Sequence, residues 1–352
     1  MFIAGLGVAT PAQRYSQAQC WEAAYNSAKF SALAPRSRAL LKKILLGNNG
    51  FAYRHLALDS LQDAFDLSPD AMHARFRQHA PALAAEAARK ALLQTGLAAD
   101  QIDALIISTC TGYLCPGLTS YVAEALALRA DTLLLDLVGQ GCGAALPNLN
   151  AAAALVDSGR CQNVLSICVE VCTAAFYFDD DPGVLISACL FADGAGAAIC
   201  SHRASARARR VEWKQSMTEL DPGSRDLLRF DQRNGMLRNI LAPEVPALAA
   251  AAAKRVLEKV MNGSGDLRGQ ISTWIWHAGG RDVLLALSDC LQLDEADLCW
   301  SVLTLREIGN ISSPFVLHVL DRALKGGAPG GLWWMSSFGA GFSCHGALLE
   351  VE

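Results

Sequence analysis

Pro81-Ala82-Leu83-Ala84-Ala85 and Pro246-Ala247-Leu248-Ala249-Ala250 carry one pattern twice, 165 residues apart. Each opens an Ala-rich stretch of helical character, with proline where a first helical turn tolerates a missing N–H. A loop and an apolar run of strand character follow each: Ala104-Leu105-Ile106-Ile107 and Ile271-Ser272-Thr273-Trp274-Ile275-Trp276. Further on, Gly141-Cys142 matches Gly309-Asn310 at an offset of 168, each before an Ala- or Leu-rich helical stretch. Asp157-Ser158-Gly159 then matches Lys325-Gly326-Gly327, and Val164-Leu165-Ser166-Ile167 matches Leu332-Trp333-Trp334-Met335. A near-constant offset across four successive elements indicates an internally duplicated chain.

Alternating helices and strands in both copies predict an α/β fold whose mostly parallel sheets are covered on both faces. The boundary is expected near 205–215, where the polar, basic run Ser201-His202-Arg203-Ala204-Ser205-Ala206-Arg207-Ala208-Arg209-Arg210 follows a Gly/Ala-rich strand. The halves then run over 1–210 and 211–352. At 352 residues, 52% of them hydrophobic and 18% charged, the chain buries a sizeable core and is not disordered. A formal net charge of −4 supplies no basic field for nucleic acid or an anionic membrane. No apolar run approaches the roughly 18 residues that span a bilayer. Twelve cysteines without a CxxC pair, and an opening Phe2-Ile3-Ala4-Gly5-Leu6-Gly7-Val8 that reads as a buried strand, point to a reducing cytoplasm. Neither a phosphate-binding GxxxxGK[ST] loop nor metal-spaced His and Cys clusters occur, so no metal or resident cofactor is expected.

Duplication carries a geometric consequence: equivalent loops of the halves converge near a pseudo-twofold axis, which brings Cys142, Asn310 and the strand-end His277 together. A cysteine is usually a small buried hydrophobe. Cys142 stands in Gly139-Gln140-Gly141-Cys142-Gly143-Ala144-Ala145, between Leu133-Leu134-Leu135-Asp136-Leu137 and a long Ala/Leu helix. Glycines permit a sharp strand-to-helix turn, and a helix N-terminus favours a thiolate. His277 ends an apolar strand beside Gly279 and Gly280; a core histidine bonded to backbone is the plainer reading, and a partner that lowers the thiolate pKa is the functional one. Asn310, in Ile308-Gly309-Asn310-Ile311-Ser312-Ser313-Pro314, is equally placed to cap a helix and to donate a hydrogen bond in catalysis.

At these residues the chain resembles the type III polyketide synthases, the chalcone and stilbene synthase relatives, over essentially its full length. The resemblance rests on Gly139-Gln140-Gly141-Cys142-Gly143-Ala144-Ala145-Leu146-Pro147-Asn148-Leu149, Ala188-Cys189-Leu190-Phe191-Ala192-Asp193-Gly194-Ala195, Trp276-His277-Ala278-Gly279-Gly280 and Gly309-Asn310-Ile311-Ser312-Ser313-Pro314. It implies a thiolase-like duplicated αβαβα fold of five layers, its halves related by a pseudo-twofold axis, and a homodimer. It also implies a Cys142-His277-Asn310 triad, with Phe191 as aromatic gatekeeper where sequence alone reads a core residue. Acyl-CoA starter and malonyl-CoA are the implied substrates, condensed iteratively with loss of carbon dioxide and then cyclised. Arg54 is the best match to a CoA-phosphate contact, and Ser312 is a further implied CoA-binding residue. Lys42 and Lys43 are companions or an ordinary solvated helix face.

The same resemblance places Cys110, Thr111, Cys115, Cys172, Ala175 and Phe338 around the cavity and dimer seam. Several are small, which leaves room for a long aliphatic starter and leans towards alkylresorcinol- or alkylpyrone-forming relatives. Ala340 stands where plant relatives carry proline in the C-terminal loop. Two rivals are a β-ketoacyl carrier-protein synthase III, disfavoured by His277-Ala278-Gly279-Gly280, and a catalytically silent partner subunit, disfavoured by the intact triad. A thiolase would add a second cysteine near the C-terminus, where Cys344 lies.

Overall fold

The computed structural model describes residues 1–261 and 267–352. In the first half the strands are β1 (Phe2–Ala9), β2 (Arg14–Ser16), β3 (Tyr53–His55), β4 (Ala104–Thr109), β5 (Leu133–Val138), β6 (Asn163–Val171) and β7 (Asp193–Ser201). The second half supplies β8 (Val211–Leu220), β9 (Leu228–Arg233), β10 (Met236–Leu241), β11 (Ile271–Trp276), β12 (Gly331–Gly339) and β13 (Ser343–Val351).

Nine strands join in the order β11-β12-β13-β8-β1-β7-β6-β4-β5. The halves meet where β1 and β8 run antiparallel, Phe2 opposite Glu212. Outward from that seam, β1-β7-β6-β4 mirrors β8-β13-β12-β11. In both halves the outer pair is parallel (β4 with β6, β11 with β12) and the next is antiparallel (β6 with β7, β12 with β13). The edge strand β5 has no counterpart among the described strands of the second half. Residues 202–210 form the exposed link from β7 to β8.

Layering follows from the helices. Pro69–Thr95 packs on β1, β6 and β7, and Val245–Val260 on β8 and β13. Between the two halves of the sheet lie Ala145–Asp157, touching β6 and β13, and Phe315–Lys325, touching β1, β7 and β11. The result is the αβαβα arrangement in five layers. Both central helices end alike, on left-handed glycines Gly159 (φ +74°) and Gly327 (φ +72°). Small side chains set the spacing of the outer layer: a Cβ on Gly7 would lie 2.1 Å from the Ala87 carbonyl oxygen.

One expectation fails here. Pro81 does not open a helix; it sits inside Pro69–Thr95, which begins where Ser68 accepts from the Ala71 N–H and Pro69 fills the first turn. Pro246 does lie in the first turn of its helix. Two small ribbons complete the fold: β2 with β3, and the hairpin β9–β10, turned by Asn234-Gly235, both at positive φ. No helix among the described residues is long and apolar enough to cross a membrane.

Candidate active site

Cys142 sits in a short 3-10 turn, Gly141–Gly143, between β5 and the central helix Ala145–Asp157. Gly141 adopts φ +59°, and a Cβ on it would come within 3.0 Å of the Ala340 backbone nitrogen. A Cβ on Gly143 would lie 2.9 Å from the Gly339 nitrogen. Glycine is required at both places because the cysteine loop of one half is pressed against the end of β12 in the other.

Asn310 and its neighbours come from the equivalent loop ahead of Phe315–Lys325. Ser312, itself at φ +59°, donates its hydroxyl to Cys142 Sγ at 3.0 Å. The Ser312 N–H donates to Asn310 Oδ1 (2.9 Å), and Asn310 Nδ2 donates to the Gly279 carbonyl (2.9 Å). Gly279 is two residues beyond His277, which leaves β11 with its N–H bonded to the Ser336 carbonyl and its ring edge-on to Phe315 at 5.5 Å. A continuous chain of contacts therefore runs from Cys142 through Ser312 and Asn310 to the His277 loop.

The electrostatics differ from the thiolate–imidazolium pair expected from sequence. Burial pushes the Cys142 thiol up to about 12; the Ser312 hydrogen bond pulls it down, and the charge of Glu170 pushes it further up. Burial pushes His277 down to about 4, and among the described residues its Nδ1 has no hydrogen-bond partner. Burial disfavours the charged form of both groups, because desolvation outweighs the Ser312 hydrogen bond for the thiol and is the one cause acting on the imidazole.

A cavity enclosing about 610 Å³ of unfilled space, part of it open to solvent, lies over Cys142. Its wall holds Cys110, Thr111, Cys172, Ala175 and Phe191, together with Ser312. Cys115 and Phe338 are not on that wall: Cys115 is exposed, and Phe338 is buried within β12. The hairpin β9–β10 adds Leu228, Arg229, Phe230 and Asn239, which sequence reading missed. Asn239 Nδ2 donates to Ser187 Oγ at 2.7 Å.

Arg54 also departs from expectation. It is buried, 4% exposed, and its Nη1 donates to the carbonyls of Ala188 (2.7 Å) and Phe191 (3.1 Å). A guanidinium held on interior carbonyls does not ring a tunnel mouth. Lys42 and Lys43 are exposed on the helix Pro35–Leu46.

Glu170 is the largest omission. It is fully buried in β6 and accepts from Ser313 Oγ (2.5 Å), Thr111 Oγ1 (2.9 Å), the Cys110 N–H (3.0 Å) and Thr109 Oγ1 (3.2 Å). Burial raises its pKa against those hydrogen bonds. The signal in the sequence is a lone acid in the apolar run Val164–Val171: a carboxyl inside such a strand needs several donors, and here they come from both halves.

A duplicated five-layer fold with a cysteine at the N-terminus of one central helix, facing the equivalent loop of the other half, defines a thiolase-like condensing enzyme. The chain belongs to the type III polyketide synthase family. Residues 11–220 match the model for FAE1/type III polyketide synthase-like proteins, and residues 212–350 that for the C-terminal domain of chalcone and stilbene synthases. It is 29% identical to a 1,3,6,8-tetrahydroxynaphthalene synthase of Streptomyces peucetius subsp. caesius, over 99% of this chain and 92% of the relative. It is 28% identical to a phloroglucinol synthase of Pseudomonas fluorescens, over 90% of this chain and 91% of the relative. The crystal structure of 1,3,6,8-tetrahydroxynaphthalene synthase from Streptomyces coelicolor superposes with a TM-score of 0.88 at 24% identity, over 99% of both chains. The protein is thus a type III polyketide synthase, an acyltransferase, which sets aside the synthase III and silent-subunit readings.

Proposed function

We propose that Cys142 takes an acyl group from CoA and that His277 and Asn310 hold the malonyl-CoA thioester oxygen while carbon dioxide leaves. In the first step the Cys142 thiol adds to the starter thioester, the bond from the acyl carbon to the CoA sulfur breaks, the thiol proton goes to that departing sulfur, and an acyl-cysteine forms. In the second, loss of carbon dioxide from malonyl-CoA leaves an enolate whose oxygen accepts from His277 Nε2–H and the free Asn310 Nδ2–H. The enolate carbon then attacks the acyl-cysteine, giving β-ketoacyl-CoA and a cysteine thiolate ready for reloading. No further base is needed, because decarboxylation itself supplies the electron pair.

The observation that carries this reading is the hydrogen-bonded chain Cys142–Ser312–Asn310–Gly279. It ties the nucleophile, which lies on the cavity wall with Ser312, to the carbonyl-binding amide of Asn310 just behind them. Cyclisation of the extended chain takes place in that cavity, and the related synthases named above indicate a small aromatic product. Phe176, Phe191 and Phe230 on its wall support a compact product over a long alkyl starter.

The exposed Lys42 and Lys43 are proposed as CoA-phosphate contacts. A homodimer, with protomers divided at 210/211 into two halves, is supported by the unpaired edge of β5 and by exposed Leu134, Val138 and Tyr113. The twelve free cysteines fit the cytoplasm. Incubation with malonyl-CoA and acyl-CoA starters from acetyl to long-chain tests the function by mass spectrometry. Cys142-dependent cyclised products containing several malonyl units support it. Single condensation products, formed only with carrier-protein-bound malonate, contradict it.

A further inference from the structure

We infer that Arg54 is a positioning residue: it acts through the loops that carry Asn310 and Phe191 to set the carbonyl-binding amide and the cavity gate together. The inference rests on the catalytic role proposed above for Asn310.

A helix leaves its last carbonyls without intrahelical donors. For the helix Pro182–Leu190, these carbonyls are answered from two places. Arg54 Nη1 donates to Ala188 O and to Phe191 O just beyond the helix. The Asn310 N–H donates to Leu190 O (3.2 Å), and the Asn310 carbonyl accepts from the Ala192 N–H (2.8 Å). Phe191 and Asn310 thus run side by side as an isolated parallel bridge, with the guanidinium closing the helix end beneath it.

Arg54 also packs from the Asn310 side. A Cβ on Gly309 would lie 3.0 Å from Arg54 Cγ, so the arginine stem forms the floor on which the Gly309–Asn310 backbone rests. Gly309 at φ +78° is the hinge from the helix Glu295–Ile308 into the Asn310 loop. The arginine itself is fixed by the pairing of β3 with β2, Arg54 opposite Tyr15, and by the Ala52 N–H bond to the Arg306 carbonyl (2.8 Å) at the end of that same helix. One buried residue therefore links three segments: its side chain touches the gate and the Asn310 loop, and its backbone belongs to the N-terminal ribbon. Its positive charge at a helix C-terminus is favourable. Lysine lacks the planar fork, so it satisfies these carbonyls in a different geometry.

The test uses the full chain with Arg54→Lys, Arg54→Met, Asn310→Ala and the Arg54→Lys/Asn310→Ala double variant. Three rates are read: malonyl-CoA decarboxylation (kcat and KM, at two ionic strengths), alkylation of Cys142 by iodoacetamide, and starter acylation of Cys142. Arg54→Lys is expected to lower the decarboxylation kcat by about 10–100-fold, the cost of displacing a reacting group by on the order of 1 Å. KM and Cys142 alkylation stay near the parent values. In the Asn310→Ala background, Arg54→Lys adds little further loss, because both changes remove one function.

A raised, salt-sensitive KM with kcat retained makes Arg54 a phosphate contact and overturns the proposal. Equal losses in decarboxylation and alkylation reduce it to general structural support and overturn it too, as do additive losses in the double variant. If Arg54→Met fails to fold, Arg54→Lys alone decides. Unchanged decarboxylation in Asn310→Ala refutes the catalytic assignment, and the Arg54 role with it. An impaired Asn310→Ala beside an unimpaired Arg54→Lys refutes only the Arg54 role.

Discussion

Replacing Ser312 by alanine removes the 3.0 Å hydrogen bond that its hydroxyl donates to Cys142 Sγ and leaves the backbone at φ +59° otherwise occupied as before. That bond opposes the burial and the Glu170 charge that push the thiol up. A hydrogen bond to a charged group contributes about 1.5–3 kcal/mol. At about 1.36 kcal/mol per pKa unit, its loss raises the thiol by about 1–2 units. Below the pKa, the thiolate fraction then falls by about 10–100-fold. A more basic thiolate is intrinsically more nucleophilic with a Brønsted slope of about 0.4–0.5, which restores roughly half of that loss on a logarithmic scale. The net expectation is alkylation by iodoacetamide about 3–16-fold slower at pH 8. With twelve cysteines in the chain, the Cys142 peptide has to be followed individually by mass spectrometry. Ser312→Gly, which removes the same hydroxyl and relaxes the backbone, should slow the reaction comparably. Unchanged or faster alkylation in both variants would refute the claim that Ser312 stabilises the thiolate.

Glu170→Gln acts in the opposite direction: without the negative charge Cys142 alkylates faster, while the lost acceptor for Ser313, Thr111 and Cys110 lowers stability by about 1–3 kcal/mol in denaturant unfolding. Slower alkylation would contradict the assigned sign. Gly143→Ala forces a methyl to 2.9–3.0 Å from Gly339 and is expected to abolish condensation, whereas at Gly280 an added methyl meets only Leu190, at 3.6 Å, and Gly280→Ala should retain it. His277, His318 and His345 are pushed by burial from 6.5 to about 4. The unfolded chain therefore binds protons below pH 6.5 that the fold does not, and stability falls as pH drops from 6.5 towards 4. Asp193, raised to about 6, and Glu170, also raised, run the other way without cancelling three histidines. In His318→Gln the stability difference between pH 6.5 and pH 5 should shrink by up to about 2 kcal/mol; an unchanged difference would show that His318 protonates freely in the fold.

The duplication was legible because it rests on helix-ending glycines and strand runs, which leave periodic traces in a single sequence. Gly159 and Gly327 keep the same offset as Cys142 and Asn310, and both pairs flank the equivalent central helices. The meeting of the Cys142 loop with the Ser312 and Asn310 loop follows from the same repeat. What escaped depends on contacts between distant segments. Arg54 looks like a surface cation until the Ala188 and Phe191 carbonyls are seen around it. Pro81 resembles a helix start until Ser68 and Pro69 are seen to begin the helix a dozen residues earlier. Asn234-Gly235 is a strong hairpin turn, yet its flanks Phe230-Asp231-Gln232-Arg233 and Met236-Leu237-Arg238-Asn239 lack clean alternation. Phe230 and Asn239 face the cavity, and Arg238 is buried against Asp179 and Asp181, contacts that no local alternation announces.

The most direct test of the central claim is to incubate the protein with an acyl-CoA starter, quench in acid and map acylated peptides by mass spectrometry. The acyl mass should appear on the peptide containing Cys142, accumulate when malonyl-CoA is withheld, and vanish in Cys142→Ala. An acyl group carried on another residue, or products that still form in Cys142→Ala, would contradict the account.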